Sequence, residues 1–196
     1  KIIDNRENLG PCKARNQGIA RAEGELLLFL DDDVVLGGDF LARIYNAFGS
    51  DSSISGLQPK VLMQDGKTLY STGIYPSFLR RFHDIGSGMR DNGSFQRRKY
   101  VFGASCAAAC YRREALEAIK EDGEYFDEDL FYLFEDVDLS WRMQRKGLRI
   151  LYSPDATCFH KAGASRRKDK FSRYLCLRNR YLLLAKNESL FGFFRL

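Results

Sequence analysis

The sequence predicts an α/β fold, a mostly parallel sheet flanked by helices. Its central observation is the apolar run Leu26–Leu30, which is bounded by Gly24 and breaks off into Asp31-Asp32-Asp33. So short a run between such boundaries suits a strand buried on both faces of a parallel sheet better than a helix. The second observation is the alternation around it: a strand end at Lys1–Asp4, a turn through Asn5–Gly10, and a helix over Lys13–Ala22 introduced by Pro11 and stopped by Gly24. Strand, helix, strand is the βαβ unit, and its helix N-terminus welcomes anionic groups of a ligand. Lys13, Arg15 and Asn16 lie in those first turns.

After the acidic run, Asp39 is placed to cap a helix whose apolar positions Phe40, Leu41, Ile44, Tyr45 and Phe48 keep helical spacing up to Gly49. Gly56–Met63 reads as a strand in which Pro59 argues for an edge position or a bend. Asp65-Gly66 is a hairpin turn leading into Lys67–Tyr75. Arg80–Arg98 holds glycines, charges and few periodic apolar residues, so it reads as a long loop, a lid or an acceptor site. Tyr100–Tyr111 is a second apolar segment rich in small side chains. Gly103 and Ala104 there admit either a ligand or tight strand packing. Arg113–Lys120 is a short helix facing inward through Ala115, Leu116 and Ile119. A further helix opens on Glu135, Asp136 and Asp138 and closes with Arg142, Arg145, Lys146 and Gly147, which complements its dipole at both ends. Arg149–Tyr152 and Thr157–His160 read as two more strands.

At 196 residues and with ordinary apolar and charged fractions, the chain is sized for one domain with a full core. No run approaches the roughly 18 apolar residues that span a bilayer. It begins at Lys1 with no charged leader, which reads as a fragment. Its five cysteines, Cys12, Cys106, Cys110, Cys158 and Cys176, are odd in number and form no CxxC pair, which points away from a zinc cage or disulfide framework and toward a reducing, cytoplasmic setting. The net charge is +5, with basic clusters at Arg80-Arg81, Arg97-Arg98-Lys99 and Arg166-Arg167-Lys168, then Lys170, Arg173, Arg178 and Arg180. Such clusters suit a nucleotide diphosphate or a phospholipid surface, or are solvated faces; nothing calls for nucleic acid.

Two constellations carry chemistry. Three adjacent carboxylates at a strand end repel one another unless a cation sits among them, and hard oxygen ligands suit Mg²⁺ or Mn²⁺. The alternative is a solvated acidic turn. The Glu135-Asp136 pair follows the aromatic stretch Phe131–Phe134, where partial burial would make a carboxylate a better base. His160, taken alone, fits a satisfied structural residue better than a ligand.

The motifs Asn8-x-Gly10, Ala14-Arg15-Asn16-x-Gly18, Leu28-Phe29-Leu30-Asp31-Asp32-Asp33, Phe126-Asp127-Glu128, Glu135-Asp136-Val137-Asp138-Leu139 and His160, in that order, resemble the family 2 glycosyltransferases over nearly the whole chain. The resemblance implies a GT-A fold, a Rossmann-like domain that moves a sugar from a nucleotide-diphosphate donor to a hydroxyl acceptor with inversion. It implies metal ligation (Mn²⁺ or Mg²⁺) by Asp31, Asp33 and His160, with donor binding by Asn8, Arg15, Asn16, Asp31, Asp32 and Asp33. Asp136 would be the base, Glu135 with Gly103 and Ala104 would lie on the acceptor side, and Asp138 would be a mild, dipole-favouring acid. Galactofuranosyl, rhamnosyl and hexosyl transfer all fit, to a sugar or lipid-linked glycan in cell-envelope polysaccharide or glycolipid synthesis. Members begin with strands that would precede Lys1, so the chain is expected to lack the fold's first strands and to bind donor weakly. A noncatalytic scaffold that binds sugar, lipid or a partner is the other reading, and a nucleotidyltransferase is a distant third.

The expected organisation is a partial catalytic domain over 1–165 and a basic amphipathic helical segment over 166–196. In the latter Phe171, Tyr174, Leu175, Tyr181, Leu182 and Ala185 form one stripe. That stripe either packs on the domain or lies peripherally on the inner face of the cell membrane.

Overall fold

A computed structural model describes residues 2–161 and 170–188. The elements run α1 (Gly10–Arg21), β1 (Leu26–Leu30), β2 (Val34–Leu36), α2 (Phe40–Ser50), β3 (Ile54–Met63), β4 (Leu69–Ser71), β5 (Ile74–Pro76), β6 (Phe82–Asp84), β7 (Lys99–Val101), β8 (Ala108–Arg112), α3 (Arg113–Ala118), a 3₁₀ turn (Glu128–Leu130), α4 (Glu135–Arg145), β9 (Arg149–His160) and α5 (Lys170–Asn187). The central sheet has the order β1-β8-β3-β9-β2, with β4 on β3 and β7 on β9. A separate hairpin joins β5 to β6.

The α/β class holds, but the pairing is more antiparallel than a mostly parallel sheet. β1, β3 and β9 share one direction, yet only β3 and β9 pair in parallel, because β8 inserts reversed between β1 and β3. Parallel neighbours need a long crossover, whereas β3 turns straight into β4 through the expected Asp65-Gly66 hairpin. Residues 2–4 lie outside any strand, so no βαβ unit closes there.

β1 is covered unequally on its two faces: Leu27 and Phe29 are buried, Leu26 and Leu28 only partly, and Leu30 is 41% exposed, so the strand is less enclosed than its composition implied. Leu27 and Phe29 join the cluster under α1, α3 and α4 with Cys12, Ile19, Leu116, Leu139 and Met143. Leu26 and Leu28 pack on the opposite side against Phe40, Ile44 and Phe48 of α2. Leu41 and Tyr45 face outward instead. Asp39 precedes α2 but makes no cap bond; its carboxylate takes the Arg43 Nε–H at 2.7 Å.

Pro59 sits in a central strand and not at an edge, and the ladder shifts register there, where Pro59 faces Ser153 and Lys60 faces Thr157. That irregularity lets the two expected strands after Gly147 run as the single strand β9. The expected arm Lys67–Tyr75 breaks at Gly73 (φ +127°) into β4 and β5. The 80–98 loop contains β6, and the 100–111 segment splits into β7 and β8. α5 buries Leu175, Leu183, Leu184, Asn179 and Asn187, so its packed face is not the expected stripe, of which only Leu175 is buried. Among the described residues no helix is long and apolar enough to cross a membrane.

Candidate active site

The acidic run is shaped by hydrogen bonds on either side of it. The Asp31 N–H donates to Ala107 O at 3.0 Å, carrying the β1–β8 ladder one step further. Val34 N–H then donates to Asp31 O at 3.2 Å, closing a turn through Asp32 and Asp33. β2 pairs with β9 so that Val34 lies opposite His160, which brings the imidazole to the turn. His160 Nε2 is 3.0 Å from Asp33 Oδ1 and 3.9 Å from Asp31 Oδ2. The three donor atoms lie within 4.8 Å of one another, and the Tyr70 ring backs the imidazole at 4.3 Å between centroids. Cis ligands about 2.1 Å from an octahedral cation stand about 3 Å apart, and two carboxylates with one imidazole suit Mn²⁺ or Mg²⁺. The residues fit such an ion.

Arg15, on the second turn of α1, bridges the two acidic constellations. Its Nη1 donates to Glu135 Oε1 at 2.7 Å and its Nη2 to Asp31 Oδ1 at 3.1 Å. Burial pushes the Asp31 carboxyl up and the Arg15 charge pulls it down, with the rise prevailing. Asn16 points elsewhere. Its amide exchanges hydrogen bonds with the Phe126 backbone, donating to the carbonyl at 2.7 Å and accepting from the N–H at 2.9 Å, and also donates to Glu128. Asn8 accepts from Gly10 N–H at 3.0 Å at the head of α1.

Ahead of α4 the backbone takes an uncommon course: Phe131, Leu133 and Phe134 have φ of 60°, 72° and 68°, left-handed values that side chains disfavour. This course turns Glu135 toward Arg15 and Asp136 into a cleft of about 330 Å³ whose walls include Arg15, Asp31, Tyr70, Asp84, Asp136 and His160. Asp136 Oδ1 accepts from Val137 N–H at 2.8 Å. Burial, then the charges of Glu135 and Asp84, raises the Asp136 carboxyl to about 8. A second recess, about 520 Å³, is lined by Asn8, Asp32, Arg15 and Asp31, so the last two border both spaces.

Gly103 and Ala104 do not line the cleft; that wall is made by Ser105, Cys106 and Ala107. Gly103 bridges to Ile74, and a Cβ on it would come within 2.6 Å of Ser140 Cβ, so its smallness serves packing against α4. Asp138 is fully buried rather than a solvated dipole acid. It accepts from Arg142 Nε at 2.9 Å and Asn187 Nδ2 at 2.7 Å, joining α4 to α5.

Asp84 and Tyr70 escaped the sequence reading. Asp84 is held in the cleft wall by the β5–β6 pairing, with Ser71 beside its carboxylate and its buried Oδ1 without a hydrogen-bond partner among the described residues. Burial pushes its carboxyl up. Its only signal was alternation with Phe82 in a stretch of weak pattern.

Residues 1–181 match the family described as Glycosyltransferase like family 2. The chain belongs to this family. Among curated relatives of this chain, the pre-mycofactocin glycosyltransferase of Mycobacterium tuberculosis is 26% identical over 161 residues, covering 82% of the chain and 32% of the relative. The poly-β-1,6-N-acetyl-D-glucosamine synthase of Staphylococcus aureus is 24% identical over 162 residues, covering 81% and 35%. The chain thus spans about a third of the length of these relatives. Among solved structures, GalNAc-T7 with UDP, GalNAc and Mn²⁺ superposes with a TM-score of 0.62 at 15% identity, over 82% of the chain and 32% of that protein. The mannosyltransferase PcManGT of Pyrobaculum calidifontis, with GDP-Man and Mn²⁺, gives 0.59 at 16% identity over 95% and 46%. Both likenesses support the GT-A fold.

Proposed function

We propose that this glycosyltransferase performs metal-dependent, inverting transfer of a sugar from a nucleotide-diphosphate donor to a hydroxyl of a sugar or lipid-linked glycan in cell-envelope polysaccharide or glycolipid synthesis, at the cytoplasmic side of the membrane. The observation that carries the reading is that Asp31 and His160, two members of the metal-fitting trio, line one cleft with Asp136, while the third, Asp33, lies 3.0 Å from His160. Neighbours of the same fold hold UDP or GDP-Man with Mn²⁺, and one relative is a polysaccharide synthase.

When bound by Asp31, Asp33 and His160, Mn²⁺ or Mg²⁺ supplies charge neutralisation for the departing diphosphate. Arg15 holds Asp31 and Glu135 in place from between the two recesses, and the second recess, lined by Asn8 and Asp32, is our candidate for the donor. Asp136 takes the proton of the acceptor hydroxyl as that oxygen bonds the anomeric carbon and the bond to the diphosphate breaks on the opposite face. Glu135, neutralised by Arg15, stays structural on the acceptor side.

The test is a panel of nucleotide sugars with Mn²⁺ and with chelator, run on this chain. Transfer that chelator abolishes is expected, with Asp136→Asn lowering turnover about 10²- to 10⁴-fold at unchanged donor affinity. Sugar binding without turnover by any donor would leave a noncatalytic scaffold.

A further inference from the structure

We infer that the tip of the β5–β6 hairpin and the outward stripe of α5 form one docking surface for an anionic phospholipid bilayer. Phe78 is 98% exposed and Leu79 60% exposed at the hairpin tip. On α5, Tyr174, Leu177 and Tyr181 are 57%, 61% and 61% exposed, opposite the face through which Leu175, Asn179 and Leu183 pack. At about 100° per residue these three positions fall within one narrow sector of the helix. Single exposed apolar side chains are ordinary, but an apolar stripe beside an apolar loop tip marks an interaction site.

The two parts are tied together. Arg180 Nη2 donates to Leu79 O at 3.3 Å, and Arg80 pairs with Glu188 at 2.9 Å. Around the apolar centre stand Arg81, Lys170 and Arg173, all exposed, while the acid at the joint, Glu188, is already matched by Arg80. Apolar and tyrosine side chains inside a cationic rim are the composition that settles into an anionic headgroup region. The same rim disfavours a second copy of the chain, since apposing two such faces would bring arginines together.

The surface also adjoins the cleft. Cys176 of α5 and Phe82, His83 and Asp84 of the hairpin all line it, so the docked protein would hold its mouth beside the bilayer. That this serves a lipid-borne acceptor rests on the transfer reading above; the docking itself does not.

Cosedimentation of this chain with vesicles needs neither donor nor acceptor, so its result is independent of activity. Vesicles of phosphatidylcholine and phosphatidylglycerol at roughly two to one should retain the protein, and pure phosphatidylcholine far less. The double variant Phe78→Ser/Tyr181→Ser should lower partitioning at least about tenfold, as loss of two inserted aromatic side chains implies. Arg81→Gln/Arg173→Gln should remove most of the phosphatidylglycerol dependence. Circular dichroism checks that the variants fold. No retention on either vesicle, retention unmoved in folded variants, or a dimer in solution that the Phe78/Tyr181 double variant dissolves would each overturn the inference.

Discussion

Replacing Asp138 by alanine should destabilise the domain strongly, although the residue touches no part of the cleft. Arg142 beside it is buried, and its guanidinium has three anchors: Asp138 Oδ2 at 2.9 Å, Ile119 O at 2.6 Å and Tyr125 O at 2.5 Å. Removing the carboxylate leaves buried Arg142 with its two carbonyls alone, and takes from Asn187 one of its two acceptors, Leu183 O being the other, and from Lys186 one of its carboxylates. Breaking a buried ion pair from one side costs about 3–5 kcal/mol. The two remaining carbonyls argue for the low end, about 3 kcal/mol, which for a domain of this size is a fall in Tm of about 6–12 °C. Thermal unfolding by circular dichroism measures it. The double replacement Asp138→Leu/Arg142→Met removes both charges and should recover a large part of the loss. A fall below about 2 °C for Asp138→Ala would refute the reasoning and restore Asp138 to a solvated, dipole-favouring role.

Other outcomes are equally specific. Asp84→Asn removes a negative charge facing Asp136, so the acid limb of kcat/KM should move to lower pH; an unmoved limb would mean that the two carboxyls do not communicate. Because the Asp136 carboxyl is raised in the fold, its contribution to stability is complete below the unfolded value of about 3.9 and is lost as pH climbs through about 8, so the Tm decline between pH 5 and 8 should be shallower in Asp84→Asn. Mn²⁺ at about a hundred times its dissociation constant should raise Tm by about 5–10 °C, an effect that Asp33→Asn abolishes if the trio holds the ion. Gly103→Ala should lower stability by about 1–3 kcal/mol, since the new methyl meets Ser140 on α4; altered acceptor kinetics at unchanged Tm would instead return Gly103 to the acceptor side.

Much of this was legible because the residues concerned obey local rules. β1 is readable from an apolar run closed by carboxylates, α1 from Pro11, and α4 from charges sorted by sign along its length. The trio was legible only through resemblance: Asp33 and His160 are more than a hundred positions apart, and the β2–β9 register that joins them leaves no trace in either segment alone. β2 itself, three residues long, is below what periodicity resolves. The reversed insertion of β8 was hidden for the same reason, since small, uniformly apolar residues such as Ala107–Ala109 suit either strand direction. Asp138 misled because an acid in a first helical turn has a sufficient local explanation, and its partner Asn187 arrives from another element.

The left-handed run before Glu135 ties the placement of α5 to the orientation of Asp136. Residues held at φ of 60° to 72° without being glycine store about 1–3 kcal/mol each and relax once their restraint is lifted. The restraint is Asn179 of α5, whose buried amide lies 2.8 Å from the carbonyls of Leu130, Tyr132 and Leu133. The helix that turns Tyr174 and Tyr181 outward therefore also latches, from its inner side, the loop that aims Asp136. One buried amide, Asn179, thus fastens the inner face of α5 to the loop from which Asp136 projects into the cleft.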